Sequence, residues 1–260
     1  MTTHWPAISA HRGGAEDAPF ATWQAYLECA VTSADYVELD IRRTADHELV
    51  AYHDPDVSSA AGRPLVRDLT YRQLCEVAGY QVPRAPELLE LIASHARGHL
   101  DLKEVGYERR LLHLASDLLG PGNFLVSTLE EESVRAIKDE FPAVPVALSL
   151  GRDLGRMPRW RRVPVRWREL FPLRRIRRSG ADWVSMHFRF AGAGVLRACA
   201  AEGLRAMVWT VNDDLLIDRY LTDERVAVLI TDRPRYAAER RSSLLGAVRR
   251  TAPDTGQALP

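Results

Sequence analysis

Lysine is nearly absent from this chain. Lys and Arg together number 35, yet only Lys103 and Lys138 are lysines, so a lysine two residues from Asp101 stands out. Asp and Glu also number 35, and the formal net charge is zero. No global positive field therefore gathers nucleic acid, and an anionic ligand must be drawn in by local charge. Nucleic acid is not an expected partner. The three cysteines, Cys29, Cys75 and Cys199, are scattered without C-x-x-C spacing, which argues against a zinc site or disulfide framework and fits a reducing compartment. They read as core packing. No run approaches the roughly 20 apolar residues of a membrane span, and Met1–Pro6 lacks the basic segment and apolar run of a secretory signal. A cytoplasmic location is expected. No Gly-x-Gly-x-x-Gly follows an early strand, which weakens a dinucleotide-binding reading.

What remains is an ordinary globular composition, 46% hydrophobic and 27% charged over 260 residues, a length that suits one α/β barrel. Short apolar runs recur at Ala7–Ala10, Tyr36–Ile41, Leu100–Lys103, Phe124–Ser127, Val144–Leu150, Trp183–Met186, Ala206–Val211 and Val226–Thr231. Segments with helical apolar spacing separate most of them: Thr22–Val31, Glu87–Ala96, Tyr107–Leu119, Glu130–Phe141, Gly194–Glu202 and Asp214–Leu221. Strand alternating with helix implies a parallel sheet, and eight such units favour a closed (β/α)8 TIM barrel, a single α/β domain over residues 1–250. Leu49–His53 reads as a hairpin or extension that carries His53 back over the barrel mouth. Asp68–Val77 reads as a short helix, and Thr251–Pro260 as a frayed tail.

Four polar clusters end strand-like runs: His11-Arg12-Gly13, Glu38-Leu39-Asp40, His53-Asp54 and Asp101-Leu102-Lys103. Side chains alternate along a strand, so Glu38 and Asp40 share one face, as do Asp101 and Lys103. In parallel barrels the C-terminal strand ends build the active site. Clustered carboxylates raise one another's pKa unless a cation joins them, and oxygen donors without thiolate suit a hard divalent ion such as Mg²⁺ or Ca²⁺. Glu38, Asp40 and Asp101 are therefore candidate metal ligands. His11 and His53 are candidates for general acid and base, in either order, because imidazole titrates near neutral pH. Arg12 and Lys103 can neutralise phosphate oxygens or pair with the carboxylates, and the two roles are compatible. Trp209, in Val-Trp-Thr-Val-Asn, reads equally as a wall of the substrate pocket or as barrel core. Asp232 reads as the cap of the last helix. His4, His47, His95, His99 and His113 read as structural, while His187 stays open.

Ile8–Gly13, Val37–Ile41, His53–Pro55, Leu100–Lys103, Val208–Asn212 and Ile230–Pro234, in that order and spacing, resemble the glycerophosphodiester phosphodiesterase family of phosphatidylinositol-phospholipase-C-like barrels. The resemblance implies a metal-dependent hydrolase that converts glycerophosphodiesters to sn-glycerol 3-phosphate and an alcohol. It places the paired catalytic histidines at His11 and His53, the metal acids at Glu38, Asp40 and Asp101, and phosphate contacts at Arg12 and Lys103. Two positions depart from the family pattern. Pro19 is followed by Phe20-Ala21-Thr22 where the family usually has Glu-Asn-Thr, and the third acid is Asp101 instead of Glu, as in the related sphingomyelinase-D-like branch. That branch releases a cyclic phosphate by attack of a substrate hydroxyl, which makes such a lyase the nearest alternative. A non-catalytic binder of phospholipid head groups is the alternative from another class. Small phosphodiesters or lysophospholipids are the expected substrates.

Residues 152–178, between the fifth and sixth expected strands, interleave arginines with Trp160, Trp167, Leu170, Phe171, Leu173 and Ile176. This composition suits contact with an anionic membrane surface and equally a solvated flap over the barrel. Pro158, Pro164 and Pro172 are expected to break any long helix here.

Overall fold

The computed structural model describes residues 5–59, 62–151, 155 and 158–251. Strand β1 (Ala7–Ala10) runs into a 3-10 turn (His11–Gly13), then α1 (Trp23–Cys29), β2 (Tyr36–Arg43) and β3 (Leu49–Ala51). A second 3-10 turn (Val66–Asp68), α2 (Tyr71–Ala78) and α3 (Ala85–Ile92) lead to β4 (Arg97–Leu102), α4 (Glu108–Leu119), β5 (Phe124–Thr128), α5 (Glu131–Glu140) and β6 (Val146–Leu150). The chain continues through α6 (Arg159–Leu170), α7 (Leu173–Ser179), β7 (Trp183–His187), α8 (Phe188–Gly192), α9 (Val195–Ala201), β8 (Arg205–Trp209), α10 (Asp214–Leu221), β9 (Val226–Thr231) and α11 (Pro234–Thr251).

β1 pairs in parallel with both β2 and β9, which closes the sheet, while β3 adds an antiparallel strand to β2. Eight parallel strands with helices between them make the expected (β/α)8 barrel. Alternation along β2 explains its sequence: Val37, Leu39 and Ile41 join the core under the helices, and Tyr36 belongs to the smaller apolar cluster inside the barrel. Glu38 and Asp40 share the inward face with Tyr36.

Local chemistry sets the helix limits. Thr70 and Gln73 form a capping box at the start of α2, and Asp213 accepts the Leu215 and Leu216 N–H groups at the start of α10. Among the described residues no helix is long and apolar enough to cross a membrane. All three cysteines are free, and burial pushes the Cys29 and Cys199 thiols up to about 11, in keeping with core packing.

Three expectations shift. β4 begins at Arg97 rather than Leu100, because its polar residues point inward: Arg97 stacks 4.0 Å over the Tyr36 ring, and His99 lies between two serines. Pro164 does not end α6, whose stretch around it is exposed at Trp160 and Val163, so water can reach the carbonyl left without a partner N–H. The short α8, with His187 capping it by accepting the Arg189 N–H at 3.2 Å, follows β7 where no helix was expected.

Candidate active site

Strand register brings the acids together. Asp40 on β2 pairs directly with Asp101 on β4, and Glu38 lies opposite His99 one layer deeper. One oxygen from each of Glu38, Asp40 and Asp101 lies within 4.8 Å of the others. The turn after β1 completes the group. Arg12 adopts a left-handed conformation, φ 51°, uncommon for a residue with a side chain. Its N–H donates to Glu38 Oε2 at 2.8 Å and its Nε lies 2.7 Å from Asp40 Oδ2, so one residue engages two acids. Gly13 follows at φ +82°, and a Cβ there would fall 2.9 Å from the Ala25 backbone. Only glycine lets α1 pack this close behind the turn.

Lys103 reaches Asp40 Oδ1 at 2.6 Å and also bonds Asp101. The salt-bridge role foreseen for Arg12 and Lys103 is thus present. Burial, reinforced by the neighbouring Asp40 charge, pushes the Glu38 carboxyl well above the usual carboxylate range. Burial acts in the same direction on Asp40, but Lys103 and Arg12, with His53 and His11, outweigh it and hold that carboxyl below its ordinary value. For Lys103, burial is outweighed by Asp101 and Asp40, which raise the ammonium's pKa. Both Asp40 oxygens are shielded from water, and although cations lie close, none among the described residues is aligned as a hydrogen-bond donor. A site of this kind, with three hard oxygen donors and two unsaturated oxygens, fits a divalent ion such as Mg²⁺ or Ca²⁺.

The histidines enter from opposite sides of the sequence. His11 Nδ1 lies 2.6 Å from Asp232 Oδ1, and Asn212 Nδ2 donates to the other Asp232 oxygen at 2.5 Å. With Nδ1 engaged, Nε2 is the ring atom left for chemistry. Burial raises the Asp232 carboxyl, but the His11 and Asn212 contacts prevail and lower it. Asp232 is therefore the orienting partner of His11. It does not cap α11: Glu16 does, accepting the Arg235 and Tyr236 N–H groups at 2.8 and 3.1 Å. His53, just past β3, is half-exposed, with Nδ1 2.8 Å from Asp54 Oδ1. Burial lowers its pKa from the ordinary histidine value, Asp40 opposing.

Two further residues, Arg42 and Ser127, brace the site and were not singled out from sequence. Arg42 continues the inward face of β2, donates to the His53 carbonyl at 3.0 and 2.8 Å, and pairs with Glu104 at 2.6 Å. The 38, 40, 42 alternation was its available signal. Ser127 on β5 donates to Asp101 at 2.5 Å and accepts from His99 Nε2 at 2.9 Å, whose Nδ1 faces Ser9 Oγ at 3.1 Å. His99 is structural, as expected, and buried enough that its pKa falls to about 4. Trp209 lies at the end of β8, half-buried, edge-on to His187 at 5.2 Å and against Gly151. It packs on the inner barrel cluster.

The model of the glycerophosphoryl diester phosphodiesterase family matches residues 11–101, the stretch from His11 to Asp101. A Bacillus subtilis protein, YhdW, provisionally assigned as a glycerophosphodiester phosphodiesterase, is 25% identical over 246 residues, covering 88% of this chain and 95% of that protein. A glycerophosphodiester phosphodiesterase structure from Parabacteroides distasonis aligns with a TM-score of 0.73 at 18% identity, over 94% of this chain and 99% of the other. An Oleispira antarctica phosphodiesterase, solved with the product sn-glycerol-3-phosphate, gives 0.69 at 19% identity over 92% and 97% of the two chains. At these identities the two structures speak for the shared barrel alone.

Proposed function

We propose that this chain, which matches the model of the glycerophosphoryl diester phosphodiesterase family over residues 11–101 and is similar to relatives assigned that activity, hydrolyses glycerophosphodiesters to sn-glycerol 3-phosphate and an alcohol, with a divalent cation held by Glu38, Asp40 and Asp101. The observation that carries this reading is the convergence of those three acids within 4.8 Å at the barrel end that also holds His11, Arg12 and Lys103. When bound, Mg²⁺ or Ca²⁺ supplies positive charge to a phosphate oxygen and to the developing negative charge. Arg12 and Lys103, already turned toward the acids, hold and neutralise the diester oxygens. His11 and His53 divide the proton transfers. One ring removes the proton from the attacking oxygen, and the other gives a proton to the departing alkoxide, so that the P–O bond to the alcohol breaks as the new P–O bond forms. Trp209 walls the pocket beside the leaving group. The substrate is a small glycerophosphodiester or a lysophospholipid.

This reading treats residues 1–250 as one catalytic unit, 152–178 as an insertion in it and 251–260 as a dispensable tail; residues 152–154, 156–157 and 252–260 lie outside the described residues. Three free thiols support action in a reducing, cytoplasmic compartment. Phosphorus NMR of a glycerophosphocholine reaction with Mg²⁺ or Ca²⁺ tests the function. An open monoester as first product is expected, and single alanine variants of His11 and His53 should each lose about 10²–10⁴-fold in rate. A cyclic phosphate as first product would assign the chain to lyase chemistry. Turnover retained in both histidine variants would remove the acid–base assignment.

A further inference from the structure

We propose that the catalytic end of the barrel docks flat on an anionic phospholipid bilayer through an apolar rim shared by four strand-to-helix connections. This rests on the reading above only in taking that end as the catalytic one. Large apolar side chains stand exposed there, among them Phe20 (51%) after β1, Val105 (39%) after β4, Trp160 (71%), Val163 (69%) and Trp167 (64%) on α6 after β6, and Leu215 (80%) after β8. Single exposed apolar residues are ordinary on any surface. A set of them spread over four connections that all leave the C-terminal ends of barrel strands is a different pattern.

α6 supplies the largest share. Positions 160, 163 and 167 follow helical spacing and lie on one face. The same helix contains five arginines and a single acid, Glu169. That acid is turned inward: it is 2% exposed and accepts the Gly151 N–H at 2.8 Å. Gly151 follows β6 and lies against the Trp209 ring, where an added Cβ would approach to 2.9 Å. The helix is thereby tied to the rim of the mouth while its acid is withdrawn from the surface. Indole rings favour the boundary between lipid tails and head groups, and arginines favour lipid phosphates, so the combination matches an anionic bilayer. The arrangement also selects a membrane over a protein partner. The apolar groups surround the opening to the acids, and a protein seated on all of them would seal it, whereas a bilayer brings lysophospholipid diesters to it.

The test is sedimentation of the full chain with phosphatidylcholine vesicles, with and without phosphatidylglycerol, alongside hydrolysis of soluble glycerophosphocholine. Wild type should partition to the anionic vesicles at low salt. The double variant Trp160→Ser/Trp167→Ser should lose about tenfold in partitioning, and Leu215→Ser, on a separate connection, several-fold, both with unchanged thermal midpoints and unchanged rates on the soluble diester. Wild type remaining in the supernatant, or binding neutral and anionic vesicles equally, would overturn the docking proposal whatever the hydrolysis assay shows. Normal binding by Leu215→Ser would overturn the shared rim. Vesicle binding without any diester hydrolysis would instead leave docking intact and remove the catalytic reading.

Discussion

Asp232 holds His11 by its Nδ1 and is held in turn by Asn212, so replacing its charge separates ring orientation from the presence of the ring. Asp232→Asn is expected to lower kcat by about 10²-fold or more with little change in KM, because the tautomer of His11 is no longer fixed. Steady-state kinetics checks this, with circular dichroism to confirm the fold; a kcat within a factor of two of wild type would contradict it. His99 makes a second prediction, on stability. Its pKa falls from 6.5 to about 4 on folding because burial penalises its charged form. Between these values the unfolded chain takes up a proton that the folded chain does not, so stability falls as pH drops through that window, by about 3 kcal/mol in total. Above pH 6.5 both states are neutral and the effect vanishes. Denaturant titration should show a flatter profile over that window for His99→Gln. The same slope in wild type and variant would refute the assignment. The three acids that converge, with Arg12 and Lys103 beside them, are legible in the sequence as residues ending apolar runs. The His11–Asp232 contact is not, because it joins positions 221 residues apart and Asp232 precedes a helix, where an acid normally caps.

Among elements, the 3-10 turn between β1 and α1 is the most exacting, since it must aim the Arg12 N–H and guanidinium at different acids while α1 packs behind it. Gly13→Ala adds a Cβ at 2.9 Å from the Ala25 backbone and at φ +82°, a combination expected to cost about 1–3 kcal/mol and to displace Arg12. Loss of both thermal stability and cation affinity would bear this out; a variant with wild-type stability would not. Strands with apolar residues on both faces were readable from their runs, and helices from their spacing. β4 was read three residues short because Arg97 and His99 look like loop residues until their barrel-interior partners are known. Of the three prolines in this stretch, Pro158 and Pro172 stand at helix starts, while Pro164 is accommodated inside α6 because the helix is exposed around it.

At the scale of the molecule, zero net charge leaves attraction of an anion to local groups, and barrel closure gathers them: β1, β2 and β4 are neighbours in the sheet although their acids and His11 are spread over some ninety positions. Removal of residues 252–260, beyond the end of α11 at Thr251, should leave both stability and turnover unchanged, since α11 packs on β1 and β9 lies closed against β1 upstream of them; lost turnover in the truncated chain would show that the tail takes part. The whole account turns on one cation shared by Glu38, Asp40 and Asp101. Turnover of glycerophosphocholine by EDTA-treated protein, followed as Mg²⁺ or Ca²⁺ is returned, tests it most directly. The account predicts activity abolished by chelation and restored by saturable binding at a single site, with no restoration in Asp40→Asn. Full activity in the presence of chelator would contradict it.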